Sequence, residues 1–220
     1  VAPAGPSAAT AAGMVVCCAP LAGLSSMGFL NAMSRAGSFS WLCNAWERPL
    51  WMLFFGGAHA AAAASAVGVT FAQSADVASP AARVRCAGAA TSACALVAIT
   101  ATERLGSSVG RIISVPLVLL GLAAGAGVNE VAPPVLAGCA AATLATVILA
   151  PPVYTFSTEL AAGLLWACCA LVPAVNSHVT RQGAGTLADP AKVGFEQLAG
   201  AVAMAILLKY LTKRRPICQY

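Results

Sequence analysis

Two histidines, His59 and His178, are the only imidazoles in the chain. His59 lies inside "PLWMLFFGGAHAAAAASAVGVTFAQ", Pro49 to Gln73, a stretch long enough to cross a bilayer and rich in alanine and glycine. An ionisable side chain at that depth is costly, so it faces protein or a water-filled cavity. Three kinds of chemistry are open to it. It can hydrogen-bond a neighbouring helix, ligate haem or chlorophyll through a ring nitrogen, or relay a proton or bind a substrate. His178 falls in the polar segment "NSHVTRQGAGTLADPAK". The two rings therefore belong at different depths, and a bis-histidine haem is not expected.

The remaining ionisable candidates have structural explanations. Glu130 sits in the turn "NEVAPP", at a membrane surface. Glu159 follows Ser157 at a helix start, where a carboxylate meets free N–H groups and the positive helix end. Glu196 stands four residues after Lys192, the spacing at which oppositely charged side chains pair on a helix. Most of the nine cysteines lie within apolar runs, and the "CC" pairs at 17–18 and 168–169 are adjacent. Adjacent residues point about 100° apart on a helix and form no chelating face, so these thiols read as small apolar filler. With no phosphate loop, zinc spacing or nucleophile elbow, no metal is expected and the chain reads as non-catalytic.

The elements that position these residues follow from composition. The 220 residues are 60% hydrophobic and 9% charged, against roughly a quarter charged in soluble domains. Windows of about 20 apolar residues mark spanning helices. They fall at 13–33, 50–71, 86–101, 112–128, 135–150, 158–175 and 193–211. The fold class is therefore all-α, a polytopic transmembrane bundle of about seven spans. Six is the alternative if the short, weakly hydrophobic third stretch is re-entrant or buried. Residues 1–12 read as an N-terminal extension with the composition left by a cleaved targeting peptide. Residues 13–211 form the transmembrane domain, and 212–220 a basic tail. Trp41, Trp46 and Trp51 suit an interfacial aromatic belt.

With seven spans, the N-terminal side carries Arg83, Arg85, Arg181 and Lys192. The opposite side carries Arg35, Arg48, Arg104, Arg111, Lys209, Lys213, Arg214 and Arg215. The more basic side faces matrix, stroma or cytoplasm, which puts the C-terminus inside. The net charge of +5 is explained by topology, so no nucleic-acid partner is expected.

Small residues recur at a spacing of four. Gly56, Ala60, Ala64 and Gly68 form such a ridge in the second span, and Gly121 and Gly125 repeat the spacing in the fourth. Between membrane helices close backbone contact supplies much of the attraction, and small ridges permit it. These two spans are expected to pack on each other or on other subunits. Pro20, Pro116 and Pro173 fall inside spans, where transporters use broken helices to build sites. The segment "DPAKVGF" resembles the retinal-bearing last helix of microbial rhodopsins over about a dozen residues. Lys192, however, stands at a helix start, and no carboxylate follows Arg111 where that family places one, so retinal is not implied.

Two functions fit. One is a non-catalytic subunit of a respiratory or photosynthetic complex in an organellar inner or thylakoid membrane. Its partners would be the lipid bilayer and other membrane subunits, with lipid, and haem or chlorophyll, as bound groups. The other is a small seven-helix transporter or channel.

Overall fold

The computed structural model describes residues 7–33, 47–71, 80–105, 107–126, 138, 141–142 and 190–213. Among them the structure is helical and contains no strand. Five helices are described: α1 (Ala8–Met33), α2 (Glu47–Phe71), α3 (Pro80–Leu105), α4 (Ser107–Ala126) and α5 (Pro190–Lys213). Apart from 138 and 141–142, the stretches expected to form the fifth and sixth spans lie outside the described residues, as do Trp41, Trp46, Glu130, Glu159, Pro173, His178, residues 1–6 of the N-terminal extension and most of the basic tail.

α1 begins at Ala8 rather than Gly13, because Ser7 caps it. The Ser7 Oγ accepts from the Thr10 backbone N–H at 3.2 Å, and the Ala11 N–H donates to the Ser7 carbonyl at 3.0 Å. A serine in this position satisfies N–H groups that a helix start leaves open. Pro80 opens α3, where the missing N–H has no helical partner to lose. α1 and α4 run unbroken through Pro20 and Pro116. At these two positions the broken-helix reading of the prolines does not hold.

Neighbours in sequence are neighbours in space. α1 packs on α2, α2 on α3 and α3 on α4, and α5 returns to α1. Gly28 and Ser26 meet Phe55 and His59, so α1 and α2 run antiparallel. Gly57 meets Gly88 and Ser92, while Gly88 meets Ala60 and Ala61, so α3 runs antiparallel to α2. Thr102 meets Gly110, and Thr91 meets Gly121, which makes α4 antiparallel to α3. At the start of α5, Gly194 lies beside Met14 and Cys17, and Glu196 reaches Arg85 near the start of α3. Hence α1, α3 and α5 all begin at the same end of the bundle.

α1 and α2 each contain a segment long and apolar enough to cross a membrane, Ala8–Met33 and Pro49–Val67. Shorter apolar segments cover Ser108–Ala123 in α4 and Val193–Ile206 in α5. α3 contains neither. Instead it forms the centre: every residue from Ser92 to Ile99 is buried. It is nonetheless 26 residues long, about 39 Å at 1.5 Å per residue, and lies along both α2 and α4. The buried state of its middle matches the alternative in which the third apolar stretch is covered by protein.

The largest core side chains come from the start of α2. Trp51, Phe54 and Phe55 stack or meet edge to face at centroid distances of 5.2–5.9 Å, the geometry aromatic quadrupoles prefer. Trp51 is 2% exposed, so it faces protein rather than standing in an outward aromatic belt. Gly28 makes room for the cluster, since a Cβ there would stand 2.5 Å from the Phe55 ring.

Candidate functional site

His59 is the thirteenth residue of α2 and sits at its midpoint. Its ring lies across α1: the Nδ1 is 3.2 Å from the Ala22 carbonyl oxygen and 2.8 Å from Ser26 Oγ. A carbonyl only accepts, so Nδ1 carries the proton and donates it. That assignment leaves Nε2 as the lone-pair nitrogen. Ala22 and Ser26 are one turn apart on α1, so a single ring on the facing helix spans both. The side chain is exposed. It therefore lies in the outer groove between α1 and α2, and not in the middle of the bundle.

The small-residue ridge does not act as one seam. Gly56 turns toward α1, where a Cβ would make ordinary contact with the Phe29 ring at 3.6 Å. Ala60 lies against Gly88 of α3, and Ala64 is buried. Gly68 and Gly125 lie within α2 and α4. Gly121 packs on α3: an added Cβ would come within 3.1 Å of Cys94 Cβ and 3.2 Å of Thr91 Cα. The second and fourth spans were expected to pair with each other or with other subunits. Within the chain, both pack on α3.

α2 and α3 cross most closely at Gly57 and Gly88, which lie outside the ridge of small residues spaced by four. A Cβ on Gly57 would stand 2.7 Å from the Gly88 carbonyl oxygen. One on Gly88 would stand 2.5 Å from the Gly57 carbonyl oxygen and 2.8 Å from the Ala61 nitrogen. Both obstacles are backbone, which cannot swing aside. The signal was present as the doublet Gly56–Gly57 and the run "CAGAATSA", but reading it requires knowing which helices touch.

The second feature missed is an ion pair. Arg85 Nη2 donates to Glu196 Oε2 at 3.0 Å, between side chains 17% and 9% exposed. Glu196 was expected to pair with Lys192 within its own helix. Its carboxylate is instead taken by a residue 111 positions away in sequence. Arg85 read as a loop residue, but α3 begins at Pro80, which brings the guanidinium inside the helix end.

Three other hydroxyls serve their own helices. Ser65 donates to the Ala61 carbonyl at 2.8 Å, Thr102 to that of Ala98 at 2.7 Å and Ser114 to that of Arg111 at 3.1 Å. Such back-bonding satisfies a hydroxyl without a partner from elsewhere. Cys18 and Cys94 are buried. Among the described residues no group of three or more His, Cys, Asp or Glu side chains could hold a metal ion. No protein-family model, no characterised protein and no solved structure matches the chain.

Proposed function

We propose that this chain is a non-catalytic subunit embedded in an organellar membrane, packing against and stabilising neighbouring subunits of a respiratory or photosynthetic assembly. One observation carries the reading: three helices turn apolar side chains outward at helical spacing. On α4 these are Val109, Ile112, Val115, Leu119 and Leu122. On α1 they are Val16, Met27, Leu30 and Met33, and on α5 Phe195, Leu198 and Val202. Ile112 is 75% exposed, Val16 69% and Phe195 67%. Water-soluble monomers seldom present continuous apolar faces on this scale, which mark contact with lipid or protein.

The directions of the helices support seven spans. α4 ends, and α5 begins, at the end where α1 starts. The 63 residues between them join helix ends on one side, a length sufficient for the two further spans expected from the sequence. The 26-residue length of α3, antiparallel to both α2 and α4, favours counting it as a span. Within this topology the end carrying Arg48, Arg104, Arg111, Lys209 and Lys213 is the more basic, and one of the few cations at the other end, Arg85, is already paired. The basic end, with the C-terminus, faces matrix, stroma or cytoplasm.

A packing role fits the scarcity of mid-membrane chemistry. A transporter gathers polar groups around a cavity at the bilayer midplane, whereas His59 lies on the outside of the bundle. The test is blue-native electrophoresis of gently solubilised native membranes, with mass spectrometry of the band containing the chain. Migration in a large assembly that survives mild detergent is expected. Migration as a small homo-oligomer or monomer would overturn the subunit reading in favour of a transporter or channel.

A further inference from the structure

The groove between α1 and α2 is lined by small residues around one imidazole, that of His59. Around His59 the floor is made of Ala19 and Gly23, both exposed, with Ala22 and Ser26 on α1, and of Gly56 and Ala63 on α2. An added Cβ at Gly23 would meet nothing within 4 Å, so none of the described residues covers that surface. Above the floor stands His59 Nε2. The proton on Nδ1 is committed to the Ala22 carbonyl, with the Ser26 oxygen beside it. A backbone carbonyl holding one ring nitrogen is the arrangement that orients a metal-ligating histidine and raises the basicity of the other nitrogen. In hydrocarbon a bare lone pair finds no donor from water. A Lewis acid carried on an apolar plate would satisfy it.

We propose that this groove binds one uncharged metallochlorin of the chlorophyll type, whose magnesium takes His59 Nε2 as its axial ligand. The magnesium is held by four ring nitrogens and lacks one neutral donor, which a single histidine supplies. The charge distribution selects the class of tetrapyrrole. The described residues of α1 include no charged side chain, and those of α2 are limited to Glu47 and Arg48 besides His59 itself. Arg48 is about 16 Å from His59 along the helix at 1.5 Å per residue. The two propionates of haem would therefore find no cation on the described parts of α1 and α2 at this depth. The periphery of a chlorophyll carries no ionised group. Its macrocycle would cover Gly23, Ala19 and Ala63, where larger side chains would lift it off the nitrogen.

This inference rests on the membrane reading above, and its test separates the two. The full chain is reconstituted in lipid bilayers, its helix content and resistance to carbonate extraction are checked, and chlorophyll a or haem is then titrated in. Resistance to extraction tests the membrane reading alone. The expected result is about one chlorophyll per chain, with a red-shifted absorption band and the vibrational signature of five-coordinate magnesium. Binding should be lost in His59→Ala. It should also be lost in Gly23→Leu, which keeps the histidine and adds bulk where the fold has open space. A folded, membrane-inserted wild type that binds no chlorophyll would overturn the proposal. So would binding unchanged in both variants, or His59-dependent binding of haem in preference to chlorophyll.

Discussion

α3 and α4 are adjacent and antiparallel, and their sequences and environments run in opposite directions. α3 is the less apolar of the two, carrying Arg83, Arg85, Glu103 and Arg104 near its ends and Thr91, Ser92 and Thr102 along its length. Yet it is the helix with residues buried on every side. α4 is rich in valine, leucine and isoleucine, yet much of that surface points away from the bundle. In a soluble protein the assignment would be reversed. On the proposed membrane reading, the inversion is what a hydrocarbon solvent would produce. Lipid rewards large apolar side chains on the outside, while the centre is held by close backbone contact and needs small residues.

The sharpest way to break this comparison is to unpair the buried charges that tie α3 to α5. Arg85→Ala leaves the Glu196 carboxylate without its cation, and a stranded buried charge costs about 3 kcal/mol. Unfolding in a denaturing detergent should register that loss. Arg85→Met combined with Glu196→Leu should recover most of it, because the replacement removes both charges together. A single substitution with no effect would mean that α5 is not docked as described.

Next in size is the crossing of α2 and α3. Gly88→Ala would drive a methyl group to 2.5 Å from the Gly57 carbonyl oxygen. Overpacking of this kind costs about 2 kcal/mol, here with backbone as the obstacle. The same assay should show Gly23→Ala on the outer surface of α1 to be nearly neutral. Equal effects at the two glycines would contradict a seam specific to α3.

The hydrogen bond between His59 and Ser26 should contribute less. Polar pairs between membrane helices average about 0.6 kcal/mol in double-mutant cycles. A cycle of His59→Ala and Ser26→Ala should return a coupling of that order. Smallest of all should be Ile112→Ala on the outward face of α4, within about 0.5 kcal/mol as for surface positions generally. A large loss there would place Ile112 in a core that the described residues do not form.

Much of the architecture can be read from the sequence by solvent matching. Long apolar runs predict α1 and α2 nearly to their ends, and the helical class follows from composition. α3 is the instructive miss. Its expected limits, 86–101, cut off both polar ends, because a hydropathy window assumes lipid contact and this helix is sheltered by protein. Trp51 shows the same limit, since an aromatic near a helix end suits an interface or a core equally well. The ridge of Gly56, Ala60, Ala64 and Gly68 identifies the right helix but not the tightest contact, which is one residue along at Gly57. The partner of Glu196 is beyond any local rule, whereas the bonding of His59 to a neighbouring helix was among the roles that burial cost alone suggested.

The central claim is that α4 and the outer faces of α1 and α5 meet hydrocarbon while α3 does not. Photolysis of an apolar carbene reagent in bilayers containing the isolated full chain, followed by peptide mass spectrometry, tests it directly. The account predicts labelling at Val16, Leu30, Ile112, Leu119 and Phe195, and none from Ser92 to Ile99. Labelling of Ser92–Ile99 equal to that of α4, or a chain that takes up no label and is released from membranes by carbonate, would contradict it.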